Sequence, residues 1–143
     1  MREVLFRAKG KDDGKWVYGW YCRYSFCKWP LKDAIIPSEG AESGYYRFVE
    51  VDTSTVGQFT GLTDKNGKQI FEGDIIDMTG EWWDASGPAG HDSPICAVEF
   101  DEFTGGFNPF ANYDCDCGVY IDASGCEVIG NIYDNRELLE EKE

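Results

Sequence analysis

TVGQFTGLTDKNGKQIFEGDII, residues 55–76, holds four glycines and one Asn66-Gly67 pair set between Lys65 and Lys68, with almost nothing able to do chemistry. Thr55–Leu62 suits a short β-segment broken at Gly57 and Gly61. Asn-Gly readily adopts the positive φ angles of a tight hairpin turn, so Asn66-Gly67 predicts a reversal. Gln69-Ile70-Phe71 then leads into Gly73-Asp74-Ile75-Ile76. Glycines inside strand patterns mark bulges, barrel corners or close backbone approaches. The segment therefore encodes a sharply curved small sheet.

Working outward, residues 2–26 read as two strands around a turn. Asp13-Gly14 supplies the reversal of a two-residue hairpin, and Trp16, Tyr18 and Trp20 alternate with Val17, Gly19 and Tyr21 on the returning strand. Both faces are apolar, which predicts that this strand is covered on both sides. Ala34-Ile35-Ile36 reads as a short strand ended by Pro37, and Tyr45–Val51 alternates as another. Residues 79–94 read as a flexible loop insertion carrying Trp82, Trp83 and His91, the only histidine. Further strands are expected at Ile95–Phe100, Phe107–Phe110, Gly118–Ile121 and Cys126–Tyr133, with Ser124-Gly125 as a third hairpin turn. One short C-terminal helix is predicted over Asn135–Lys142, with Asp134 as N-cap and Glu137 completing a capping box. Its only apolar anchors are Leu138 and Leu139, so it must dock on a sheet or a neighbouring subunit. The expected fold is mainly β: a small curved sheet or barrel built from hairpins, closed by that helix, in a single domain over 1–143.

With 143 residues and 42% apolar content, the chain has the size and composition of one core-forming domain. Twenty-seven acids against 13 bases give a net charge of -14, which repels phosphate backbones and anionic membranes. No apolar run approaches the length needed to span a bilayer, and no export signal is visible, so a cytoplasmic location is expected. In that reducing compartment the six cysteines are expected to be mostly free thiols.

Candidate chemistry is sparse. Cys115-Asp-Cys117 with Cys126, Cys22 and Cys27 lacks the paired spacing of structural zinc sites. Asp114, Asp116 and Asp122 lack the calcium-loop pattern and read as a solvated acidic face. His91-Asp92 sits in a Gly/Pro-rich loop with no nucleophile motif, and Gly57 and Gly61 lead into no phosphate-cradling helix. No catalytic, cofactor or metal site is expected. The strongest candidates for a protein contact are Trp82 and Trp83: either they form a binding hot spot, or their loop folds back and buries them.

At three places the chain resembles the YopX family of phage and prophage proteins: residues 1–20 (MREVLFRAKGKDDGKWVYGW), residues 51–76 (VDTSTVGQFTGLTDKNGKQIFEGDII) and residues 127–140 (EVIGNIYDNRELLE). Lys9-Gly10 departs from the family pattern, where an aromatic is common. The resemblance implies a predominantly β fold, a tendency to form homo-oligomers and a phage or prophage origin, and it implies no activity. The expected role is thus a non-enzymatic, self-associating protein-interaction module. An acidic nucleic-acid mimic that blocks a host DNA-binding protein is the alternative. A small nucleic-acid-binding barrel is disfavoured by charge, although Lys65 and Lys68 stand near aromatics.

Overall fold

The computed structural model describes residues 4–24, 32–38, 48–78, 83–84, 87–88, 95–102, 105–110 and 123–139. These form an antiparallel, mainly β chain in two compact units, residues 1–59 and 60–143.

In the first unit, β1 (Phe6–Lys9), β2 (Trp16–Tyr24), β3 (Lys32–Pro37) and β4 (Val49–Glu50) lie side by side in the order β4-β3-β2-β1, and β1 pairs with the start of β5 (Gly57–Thr63). The β1–β2 register sets Lys9 opposite Trp16 and Phe6 opposite Gly19. The expected two-residue turn is longer: the Gly10 N–H donates to the Lys15 carbonyl, leaving Lys11–Gly14 as the loop. The Asp13 carboxylate accepts from the Lys15 N–H, and this side-chain bond stabilises the wider turn. Alternation sends Ala8, Ile35 and the flanking Phe6, Val17, Tyr21 and Val49 to one face, where they build a core with Val51. A short 3-10 turn, Thr53–Thr55, is capped by the Asp52 carboxylate, which accepts from Ser54 N–H. Thr55 Oγ1 in turn accepts from Lys9 N–H and holds the turn against β1.

In the second unit β5 runs on past Phe59, and β6 (Gln69–Phe71) lies beside it. β7 (Asp74–Asp77) is the centre of a three-stranded sheet, between β10 (Ile95–Ala97) and β13 (Glu127–Asn131). β8 (Trp83–Asp84) pairs with β9 (Gly87–Pro88), and β11 (Glu99–Asp101) pairs with β12 (Gly106–Asn108). Ile70, Ile76, Met78, Val98, Ala123 and Cys126 make the second core.

The segment 55–76 folds as its punctuation predicts. Gly67 and Gly73 adopt φ of 82° and 93°, values that side-chain-bearing residues rarely take. The buried Asp64 carboxylate accepts from the Asn66 and Lys68 N–H groups at 2.8 and 2.9 Å, closing the turn. Its other oxygen takes the Val128 N–H at 3.0 Å, which ties this turn to β13. The buried Asp74 carboxylate accepts from Phe71 N–H and shapes the β6–β7 turn in the same way.

Three expectations need correction. No closed barrel forms among the described residues: β4 and β6 end one sheet and β10 and β13 end another, so neither closes on itself. The C-terminal helix is absent there: Arg136–Leu138 is a single 3-10 turn with no side-chain cap. The intended cap is engaged elsewhere, since Asp134 Oδ2 accepts from Asn131 Nδ2, while Asn131 Oδ1 accepts from both Tyr133 and Asp134 N–H. These local bonds compete with helix formation and win when only two leucines could anchor it. Ser124-Gly125 belongs to a 3-10 turn, Ala123–Gly125, and not to a hairpin. The Gly118–Ile121 strand and most of the 79–94 loop lie outside the described residues.

Replacing Asp64 removes one buried carboxylate that serves three backbone donors. Asp64→Ala is expected to lower stability by about 3 kcal/mol, with Asp64→Asn costing less. Urea unfolding checks this through a lower midpoint at an unchanged slope.

Candidate interaction surface

The functional question turns on which sheet face is left open. In the first unit, strand alternation and register place Arg7, Lys9, Trp16, Tyr18, Trp20, Cys22, Tyr24, Ile36, Phe48 and Glu50 on the face opposite the core. Tyr18, Trp20 and Phe48 there are 42%, 45% and 50% exposed. This corrects the expectation of a strand covered on both sides: the Val17/Tyr21 side is packed, whereas the Tyr18/Trp20 side is open. Tyr24 meets Phe48 edge-on, at 5.2 Å between ring centroids. Trp16 is held differently, with the Arg7 guanidinium 4.5 Å and the Lys9 ammonium 5.5 Å from its ring centre. Such cation–π contacts fix the ring and attenuate the local positive charge. Glu50 on the same face lies 3.4 Å from Lys11 Nζ and 3.6 Å from Lys32 Nζ. The surface is thus aromatic, with its charges largely matched.

On the core side a polar cluster closes the sheet margin. Asp33 Oδ1 accepts from Tyr21 Oη and Arg23 Nε, and Asp33 Oδ2 accepts from Thr53 Oγ1. Together Thr53, Tyr21 and Arg23 hold the Asp33 carboxyl down at about 2, while the hydrogen bond to Asp33, with burial and the carboxylate's charge adding to it, raises the Tyr21 phenol. Asp64 obeys the same logic: burial pushes its carboxyl up, yet the Val128, Lys68 and Asn66 N–H donors outweigh that and leave it lowered. Both carboxylates are committed to backbone or side-chain donors of the fold.

The sequence candidates distribute as follows. Trp83 contributes backbone to the β8–β9 pair, opposite Pro88. Trp82, His91, Asp92, Asp114, Asp116, Asp122, Cys27, Cys115 and Cys117 lie outside the described residues. Cys22, Cys96 and Cys126 are free thiols. Burial, with Glu99 adding to it, pushes the Cys96 thiol up to about 12, and burial raises Cys22 as well, so both are poor nucleophiles at neutral pH. Among the described residues no three His, Cys, Asp or Glu side chains are grouped to hold a metal, and no helix is long and apolar enough to cross a membrane. The open Tyr18/Trp20/Phe48 face escaped the sequence reading. Alternation grouped Trp16, Tyr18 and Trp20, but nothing in the one-dimensional pattern states which face the core takes.

Hairpin-built antiparallel sheets with carboxylates used as turn clamps define a mainly β protein class. The chain belongs to the YopX family, whose model, described as YopX protein, matches residues 5–140. It is similar to the crystal structure of protein EF1440 from Enterococcus faecalis, with a TM-score of 0.51 and 23% identity over 97% of this chain and 99% of that one. That likeness supports the fold. No curated protein matches the chain.

Asp33 makes a pH prediction. A folded-state value near 2 against about 3.9 unfolded means that Asp33 stabilises the fold above about pH 4. That contribution is lost as pH falls from about 4 to about 2. Urea midpoints measured across this range should fall more steeply for the wild type than for Asp33→Asn.

Proposed function

We propose that this protein is a non-enzymatic, phage- or prophage-derived module that self-associates and acts through protein contacts in the cytoplasm of a bacterial host, with no cofactor of its own. The observation that carries the reading is the open row of Tyr18, Trp20 and Phe48 beside a packed core face. Large aromatics left in water on a rigid sheet are the residue types that anchor protein interfaces. Further support comes from the Asp33 and Asp64 carboxylates, both matched to donors of the fold, and from the raised Cys22 and Cys96 thiols. Trp82 and Trp83 remain candidates for a second contact.

A second reading, an acidic mimic of nucleic acid, draws on one feature of the chain: residues 69–135 contain fourteen Asp and Glu and not one Lys or Arg. A surface of single sign attracts a basic, nucleic-acid-binding protein.

Light scattering should report a mass several times 16.1 kDa, and a monomer at micromolar concentration would overturn self-association. Affinity capture from host lysate should recover a partner with the wild type. Loss of that partner in a Trp82→Ala, Trp83→Ala variant would place its contact on the loop.

A further inference from the structure

We propose that the Tyr18/Trp20/Phe48 face is where two copies of this chain meet, like face on like face, because it belongs to the only near-neutral part of a strongly acidic protein. This rests on the self-association proposed above and names its surface.

Charge is divided unevenly along the chain. Residues 1–59 carry nine Lys and Arg against eight Asp and Glu, a net charge of +1; residues 60–143 carry four against nineteen, a net charge of -15. Two second units brought together repel strongly, and two first units scarcely at all. A contact between the first unit of one copy and the second of another has the right overall sign, but the open face has little cation to offer it. Lys11 and Lys32 flank Glu50, and Arg7 and Lys9 lie over Trp16. Pressing a row of carboxylates onto the exposed Tyr18, Trp20 and Phe48 rings would strip them of water and offer in return only neutral donors, the Tyr18 hydroxyl and the Trp20 indole N–H, which costs free energy. Aromatic surface against aromatic surface carries no such cost, and edge-to-face ring contacts like Tyr24 on Phe48 favour it. A two-fold contact of this kind places Trp20 near the axis, where one side chain counts twice.

This arrangement has a sign that other occupants lack. The contact itself is apolar, while the acidic second units of the two copies repel. Salt shortens the range of that repulsion, from about 14 Å at about 0.05 M to about 4 Å at about 0.5 M. Self-association should therefore tighten as salt rises. A basic protein or a nucleic acid bound at the same face would be released.

The test is sedimentation velocity of the full chain at these two NaCl concentrations, for the wild type and for Trp20→Ala and Trp20→Glu, with Phe48→Glu as a second site. The wild-type dissociation constant is expected to fall at least threefold on raising salt. It should rise about tenfold or more in Trp20→Ala, and the two Glu variants should stay monomeric. Unchanged urea midpoints confirm that these surface variants are folded; if Trp20→Glu is not, Trp20→Ala and Phe48→Glu decide. Wild-type assembly that is level or weaker at high salt overturns the proposal, as does wild-type assembly by folded Trp20 and Phe48 variants. Both outcomes leave self-association itself standing, whereas a monomer at both salt concentrations removes the two together. Quenching of tryptophan fluorescence by single-stranded oligodeoxythymidylate at low salt, lost in Trp20→Ala, would assign the face to nucleic acid and also overturn it.

Discussion

The second unit depends on a carboxylate placed where water cannot reach it. Asp64 lies at the end of β5, and its two oxygens gather N–H groups from its own turn and from Val128, sixty-four residues further along the chain. Burying a charge is costly unless donors surround it, and here backbone donors do so with no cationic side chain in the first rank. The same atoms thus set the hairpin and pin β13 beside it, coupling a local turn to a long-range pairing. Asp74 repeats the device one turn later, through the Phe71 N–H. With Gly67 and Gly73 supplying the positive φ angles, the 55–76 motif is a folding instruction whose acids are consumed by the fold.

That division of labour explains how so acidic a chain can bury acids, because the fold itself uses them as turn clamps. Asp33 and Asp64 are matched to donors and held below their ordinary range, and the many acids left over give the second unit its charge. The first unit is different in kind. It is nearly neutral, packs Ala8, Ile35 and Val51 on one side, and leaves Tyr18, Trp20 and Phe48 on the other. A sheet with one dry face and one aromatic face exposed to solvent is suited to contact, and a fold of hairpins holds those rings at fixed spacing.

Much of this was legible residue by residue. The Asp13-Gly14 and Asn66-Gly67 reversals, the Gly73 turn, the alternation of Trp16–Tyr21 and the antiparallel β class all follow from φ restrictions and a two-residue side-chain period, which are local. The YopX resemblance came from the same segments and holds over residues 5–140. The C-terminal helix gave way to a competing set of local bonds: Asn131, Asp134 and Asn135 bond to one another, so the capping residue is already engaged.

Local steric rules acting on glycine, asparagine and alternating apolar residues were enough to specify the Asp13-Gly14 and Asn66-Gly67 reversals and the mainly β class. They could not specify closure, coverage or partnership, because those depend on which residues distant in the chain arrive at the same place. Whether the hairpins close on themselves, which side of β2 meets the Ile35 core, and that Asp64 reaches Val128 were all decided by packing. A strand with apolar residues on both faces has two nearly equivalent ways to be buried, and only the tertiary arrangement of its neighbours breaks that symmetry.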